Sequence, residues 1–182
     1  MSVEGNPKIT RCAGVVVVRR GENGIFYVVL EKQNKNKRWS LPKGKVGSGE
    51  EDDVAALYET FEETGLLPSD LSSFQSFRTY VRARATDDGT PSPDLKKHIS
   101  VFLAKTNEEN LTPAGNIYAE LHTPDIEKAA WVPINKVAPY FHNPEDRNFF
   151  QKHKEEILIA LFESPRRSSP VLEHETEQPA FP

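Results

Sequence analysis

Three carboxylates in one short stretch, Glu59, Glu62 and Glu63, stand at i, i+3 and i+4. On a helix that spacing projects all three from one face. Like charges so placed cost roughly 0.2–0.5 kcal/mol per pair, a penalty that a divalent cation turns into binding. Magnesium suits such a group, because it favours oxygen ligands and keeps several waters. A solvated acidic face is the ordinary account of a Glu-rich helix, but the neighbourhood argues against it here. Gly44, Glu50, Glu59, Glu62, Glu63 and Gly65 fall at offsets of 0, 6, 15, 18, 19 and 21. With Gly and Glu each about 1 in 15 of ordinary residues, six such matches arise by chance in roughly 1 in 10⁵ chains of this length.

The segment Gly44 to Leu66 resembles the signature of the Nudix hydrolase family, G-x5-E-x7-R-E-U-x-E-E-x-G-U, where U is a bulky aliphatic residue. The resemblance implies an α/β fold, a Nudix-type α/β/α sandwich around a mixed β-sheet. It implies a pyrophosphohydrolase that cuts phosphoric anhydrides with Mg²⁺, for which Mn²⁺ can substitute. Carried over position by position, Glu59, Glu62 and Glu63 would bind metal, with the Gly44 carbonyl as a further ligand and Glu50 as a supporting carboxylate. The implied chemistry is attack of water on phosphorus, with the cation neutralising the diphosphate and a carboxylate removing the water's proton. Glu63 or Glu59 is the candidate base, and the sequence does not choose between them.

Two positions depart from the signature. Tyr58 stands where the family has arginine, and Thr60 where it has an aliphatic residue. Arginine supplies a charged, forked donor, whereas a tyrosine hydroxyl donates one hydrogen bond and carries no charge. Tyr58 therefore predicts a less firmly tied site. With the acidic positions intact, the reading is a variant hydrolase rather than an inactive one.

The frame for these acids is legible in the patterning. Ser48 to Thr64 reads as a helix, with Ser48 and Glu51 as a capping box and Gly65 as its stop. Val54, Leu57 and Phe61 form its expected buried stripe, leaving the acids to point outward. Upstream, Ala13 to Arg19 and Phe26 to Leu30 read as a hairpin around Gly21 to Gly24. Trp39 to Pro42 reads as a short strand. Phe74 to Arg84 and His98 to Lys105 read as strands joined by a turn-rich insert at 87–93, and Lys128 to Val132 as another. Pro144 to Glu163 reads as a second helix, with Phe150, His153, Ile157 and Leu161 on one face. The expected organisation is a flexible start over residues 1–8, one domain over 9–163, and a disordered Ser/Pro/Glu-rich tail over 164–182.

Residues near the acids suggest the substrate. Lys43 and Lys45 flank Gly44, Arg38 and Trp39 lie just upstream, and Lys97 opens a later strand; such cations offset the charge of a polyphosphate. Arg78, Arg82 and Arg84 alternate on a strand and share a face, in phosphate contact or in solvent. Lys32, Lys35 and Lys37 read as solvated. Asp125 and Glu127 occupy a region where some relatives place an extra acid.

The balance of 23 Lys+Arg against 27 Asp+Glu, net −4, gives no general pull toward nucleic acid or anionic lipid. Cys12 alone forms no internal disulfide and reads as a buried thiol. The N-terminal residues show no signal-peptide pattern, so the expectation is a cytoplasmic protein with nuclear access open. The expected partner is a small-molecule polyphosphate, with no nucleic acid and no membrane, and the oligomeric state is left open. The leading substrate reading is a nucleoside or dinucleoside polyphosphate of the diadenosine type. The Trp39 to Gly44 entry also resembles the diphosphoinositol-polyphosphate branch. A third reading, of another class, is a weakened module that keeps the fold to bind or regulate.

Overall fold

The computed structural model describes residues 8–85, 90–114 and 126–163. Seven strands and two helices follow in the order β1 (Lys8–Arg20), β2 (Phe26–Gln33), β3 (Trp39–Ser40), β4 (Lys43–Lys45), α1 (Asp52–Thr64), β5 (Ser72–Ala85), β6 (Pro91–Thr106), β7 (Ile126–Pro133) and α2 (Pro144–Phe162).

Val15 to Val18, four β-branched residues in a row, are each 0% exposed. A strand buried on both faces needs such an unbroken apolar run. Val16 and Val18 pack on one side with Phe149, Phe150, Ile157 and Leu161 of α2. Val15 and Val17 pack on the other with Ala55 and Ala56 of α1. The sheet is thus the middle of three layers. Full burial stabilises by about 1.5–3 kcal/mol per valine, which makes β1 the anchor of the fold.

One edge of β1 runs parallel to β6 from Lys8↔Leu95 to Arg19↔Thr106, and β6 pairs antiparallel with β5. The other edge is shared. Its C-terminal end pairs with β2 through Val18↔Val28, and its N-terminal part pairs with β4 through Ala13↔Gly44. Between these pairings the sheet forks, and Val15 N–H donates to the Pro42 carbonyl at 3.2 Å. The fork sends β4 under α1. It also leaves β2 free to pair with β3 at Glu31↔Ser40 and with β7 on its far edge.

Two details of α1 correct the sequence reading. The helix begins at Asp52, with Glu51 as N-cap, and Ser48 makes no cap. Gly47 N–H instead donates to the Glu50 carboxylate at 2.7 Å, in a tight turn that places Gly49 at φ 76. A left-handed residue there stops the helix from extending back to Ser48. The buried face is also different: Val54 is 54% exposed, and the buried residues are Ala55, Ala56, Thr60 and Thr64. Only small side chains fit where the helix lies close on β1 and β4, so Val54 turns outward and Leu57 and Phe61 are only half-buried. Thr60 and Thr64 satisfy their hydroxyls on the Ala56 and Thr60 carbonyls, at 2.7 and 2.6 Å. Gly65 ends the helix as expected, at φ 82.

Residues 1–7 of the expected flexible start, the expected tail, residues 87–89 of the turn-rich insert and Asp125 lie outside the described residues, whereas Lys8 already belongs to β1. No described helix is long and apolar enough to cross a membrane.

Candidate active site

The turn of α1 toward its small-residue face brings its acids inward, against β4, rather than out to solvent. Glu59 lies directly over Gly44. A Cβ at Gly44 would fall more than 1 Å short of the 3.0 Å that real Cβ contacts respect, measured to the Glu59 carboxylate. Glycine is therefore what lets the carboxylate reach the β4 backbone. One helical turn on, Glu63 accepts a hydrogen bond from Lys43 N–H at 2.9 Å. Glu59, Glu62 and Tyr58 are half-buried on the same helix.

This crowding has an electrostatic consequence. Burial, then repulsion from Glu31 and Glu59, holds the Glu63 carboxyl well above the usual range, against a smaller opposing pull from Lys43. Glu31, on β2, is 0% exposed. Burial raises its carboxyl too, opposed by the Ser40 hydroxyl, Lys43 and Gln33. Ser40 Oγ donates to Glu31 Oε1 at 2.5 Å, and Lys43 Nζ donates to Ser40 Oγ at 2.6 Å. Lys43 thus touches the acids through its backbone and, by way of Ser40, through its ammonium.

Among the described residues, no three acidic or imidazole groups converge on one ligating point. Adjacent carboxylates that share a face repel one another, so a counter-charge is needed to draw them together. The donor set fits a hard divalent cation: carboxylates and a backbone carbonyl, all oxygen, around a cradle that a side chain at Gly44 would fill.

On the other side of Lys43 the charge reverses. Arg38, Lys43, Arg82, Arg84 and Lys97 line one cleft, with Trp39 on its wall. An adjoining hollow shares Lys43, Arg82, Arg84 and Lys97 and adds Lys45 and Gly44. Arg82 is held from behind, its Nε 3.5 Å from Asp146 Oδ1 on α2. Burial, together with repulsion from Arg82, Lys43 and Arg84, lowers the Lys97 pKa. A cluster that presses cations together in this way is poised for a polyanion.

Of the four cations expected to meet substrate, Lys43 and Lys97 line both hollows, Arg38 lines only the first and Lys45 only the second. The expected face shared by Arg78, Arg82 and Arg84 divides in use. Arg78 pairs with Glu156 of α2, while Arg82, in unbroken register with it, and Arg84, beyond the shift between Ala83 and Arg84, line the cleft. Lys32 and Lys37 both clasp Glu127, at 3.0 and 2.7 Å, which engages that acid in ion pairs. Sequence reasoning missed Glu31, whose only signal was a charge closing the apolar run Val28 to Leu30. It also missed His142, Gln33 and Asn36, polar cleft residues with no motif to mark them.

The NUDIX domain model matches residues 8–153. An 8-oxo-(d)GTP phosphatase of Mycolicibacterium smegmatis is 26% identical over 160 residues, covering 83% of this chain and 43% of that protein. An RNA pyrophosphohydrolase of Francisella philomiragia is 29% identical over 151 residues, covering 78% of this chain and 92% of that protein. The chain spans half or less of the length of the first curated relatives it matches. The crystal structure of a C. elegans Ap4A hydrolase binary complex superposes with a TM-score of 0.62 at 18% identity, covering 81% of this chain and 97% of that one. A matched domain model over most of the chain, on a mixed sheet between helices that carries the acids of the signature on α1, makes this chain a member of the Nudix hydrolase family, whose members generally use a divalent metal.

Proposed function

We propose that this protein hydrolyses a phosphoric anhydride in a nucleoside or dinucleoside polyphosphate, with Mg²⁺ as its cation. One observation carries the reading: the acid face of α1 and the cation cleft meet at Lys43–Gly44. A phosphate chain laid across that seam has cations along its length and carboxylates at one end. Glu59, Glu62, Glu63 and the Gly44 carbonyl would hold the metal, which when bound neutralises the diphosphate and acidifies water. Lys43, Arg82, Arg84 and Lys97 bind and orient the phosphates. Glu63, held by Lys43 N–H, is the better-fixed of the two candidate bases; Glu59 is set by its approach to Gly44. Trp39, in edge contact with Tyr140 at 5.6 Å, offers a ring to a nucleobase at the cleft mouth.

A second reading has its own support. Five cations line the cleft against one aromatic ring, a ratio that also favours a more highly charged ligand such as a diphosphoinositol polyphosphate. Both readings are tested by one panel with products identified, run with Mg²⁺ and with chelator. It would contain diadenosine tetraphosphate, 8-oxo-dGTP, a 5′-triphosphorylated RNA and a diphosphoinositol polyphosphate. Mg²⁺-dependent turnover of the nucleotide substrates ahead of the others is the expected result. Preference for the inositol compound moves the assignment to the second reading, and preference for the RNA removes both. Binding without turnover of any compound would leave only the binding module.

A further inference from the structure

Glu31 lies outside the signature, on a different element from the other acids, and its surroundings are unusual. Its side chain is 0% exposed at the end of an apolar strand run. Oε1 accepts from Ser40 Oγ at 2.5 Å, yet Oε2 is buried with no hydrogen-bond partner among the described residues. A buried carboxylate oxygen left so is costly unless something positively charged or protonated meets it. The nearby ammonium, on Lys43, is directed to Ser40 Oγ at 2.6 Å and the Leu41 carbonyl at 3.4 Å. Glu31 stands two residues after Val29, which packs with Ala55 and Ala56 of α1, and strand alternation puts both side chains on the α1 side of the sheet. Strand pairing fixes this placement, because Glu31 faces Ser40 across β2–β3 and Ser40 leads three residues on to Lys43, whose N–H holds Glu63.

We propose that Glu31 is a fourth carboxylate of the divalent-cation site, contributed by the sheet to the three acids of α1. The inference rests on the metal-binding reading above and adds to it. Its chemical logic is charge balance. Glu31, Glu59, Glu62 and Glu63 with Lys43 leave three negative charges in one half-buried region, and hard divalent cations are the ligands that such an oxygen set selects. The α1 acids alone present one face of a cage. Glu31 would approach from the β2 side and supply its second carboxylate oxygen, Oε2.

Mn²⁺ affinity, read directly by calorimetry or by loss of the free-ion EPR signal, tests this without relying on turnover. The parent is compared with Glu31→Gln, Ser40→Ala and Glu59→Gln. Expected is weakening of Mn²⁺ binding by at least about tenfold in Glu31→Gln, a size typical of lost metal-site partners. In chelator this variant should melt at or above the parent's temperature, because an uncompensated buried charge is gone; its gain in melting temperature on adding Mn²⁺ should shrink. Ser40→Ala should keep most of the affinity. Parent-like Mn²⁺ affinity in Glu31→Gln overturns the inference, whether the Glu31–Glu63 pair holds a proton instead or serves packing alone. An equal loss in Ser40→Ala also overturns it, since Glu31 would then act only by positioning Lys43. No Mn²⁺ binding by the parent, or none lost in Glu59→Gln, defeats the metal reading itself and is distinguishable from failure at Glu31. If Glu31→Gln does not fold, Glu31→Asp keeps the charge but withdraws it by one methylene; it should bind Mn²⁺ several-fold more weakly, and parent-like binding overturns the proposal.

Discussion

Gly44→Ala isolates the contact between β4 and α1 with the smallest possible change. The new methyl would be met by the Glu59 carboxylate, and the separation would have to grow by more than 1 Å to reach even 3.0 Å. Glu59 is a flexible arm, so the fold can survive by moving the carboxylate. The alternative, shifting β4, would disturb its pairing with the fully buried Ala13 of β1. The cheaper response is therefore side-chain retreat, with stability close to the parent's. Displacing a reacting or ligating group by about 1 Å can cost on the order of 10²-fold in rate. Expected, then, is a fall in kcat of about 10²-fold and a raised Mg²⁺ requirement, with little change in urea midpoint. Steady-state kinetics against Mg²⁺ concentration, on whichever panel substrate turns over, gives both quantities. Activity within about threefold of the parent at ordinary Mg²⁺, well below the ~10² expected for a 1 Å displacement, would show that the closeness of Glu59 to Gly44 has no bearing on the chemistry.

Glu63→Gln removes a charge while keeping the acceptor for Lys43 N–H, and should lower kcat by at least ~10²-fold whether Glu63 acts as ligand or base; single-turnover rates check this. Tyr58→Arg restores the charged fork of the signature and should maintain or raise kcat/KM; a collapse would assign Tyr58 a local role of its own. Asp52, the first residue of α1, accepts hydrogen bonds from Ser100 Oγ and the Arg11 guanidinium. Burial alone would raise its carboxyl, but these partners more than offset it and hold the group below the usual range. A depressed folded-state pKa stabilises above the unfolded value of about 3.9, and this contribution is lost as pH falls through the folded value. Asp52→Asn should accordingly cost about 1 kcal/mol at pH 7, a difference that shrinks toward zero in strong acid; urea denaturation at several pH values measures it.

The acid half of the site was readable from the sequence because it is local. Glu59, Glu62 and Glu63 lie within two turns of one helix, and helical periodicity alone puts them on one side. Which side they face was not readable. Val54, Leu57 and Phe61 are the bulkier apolar residues, and bulk suggested burial; the deciding factor was the close approach of β1 and β4, which admits Ala55, Ala56, Thr60 and Thr64. The departure at Thr60 also becomes intelligible, since a hydroxyl bonded back to Ala56 lets threonine fill an aliphatic position. Ser48 misled for a related reason: a capping box is a pattern of residue types, and it cannot register that Gly49 has turned the chain the wrong way for a helix.

The cation half is assembled from residues far apart in the chain. Arg38 and Lys43 come from the segment around the fork, and Arg82, Arg84 and Lys97 from the β5–β6 pair. They meet because β1 has β4 on one edge and β6 on the other. A formal charge of −4 argued against anionic partners at the level of the whole chain, yet the cleft surface carries the opposite sign. Net charge averages over distances longer than the ~8–10 Å at which salt screens, whereas a phosphate chain responds to the few charges within that distance. The boundary between the two fields falls on one residue. Lys43 gives its backbone N–H to Glu63, its ammonium to the Ser40–Glu31 pair, and its flank to the cleft. In the proposed reaction an anhydride lying across this boundary has its phosphates in the cationic field and its scissile end in the acidic one, so the direction of the substrate is set by the sign of the field before any specific contact to a base or ring is made.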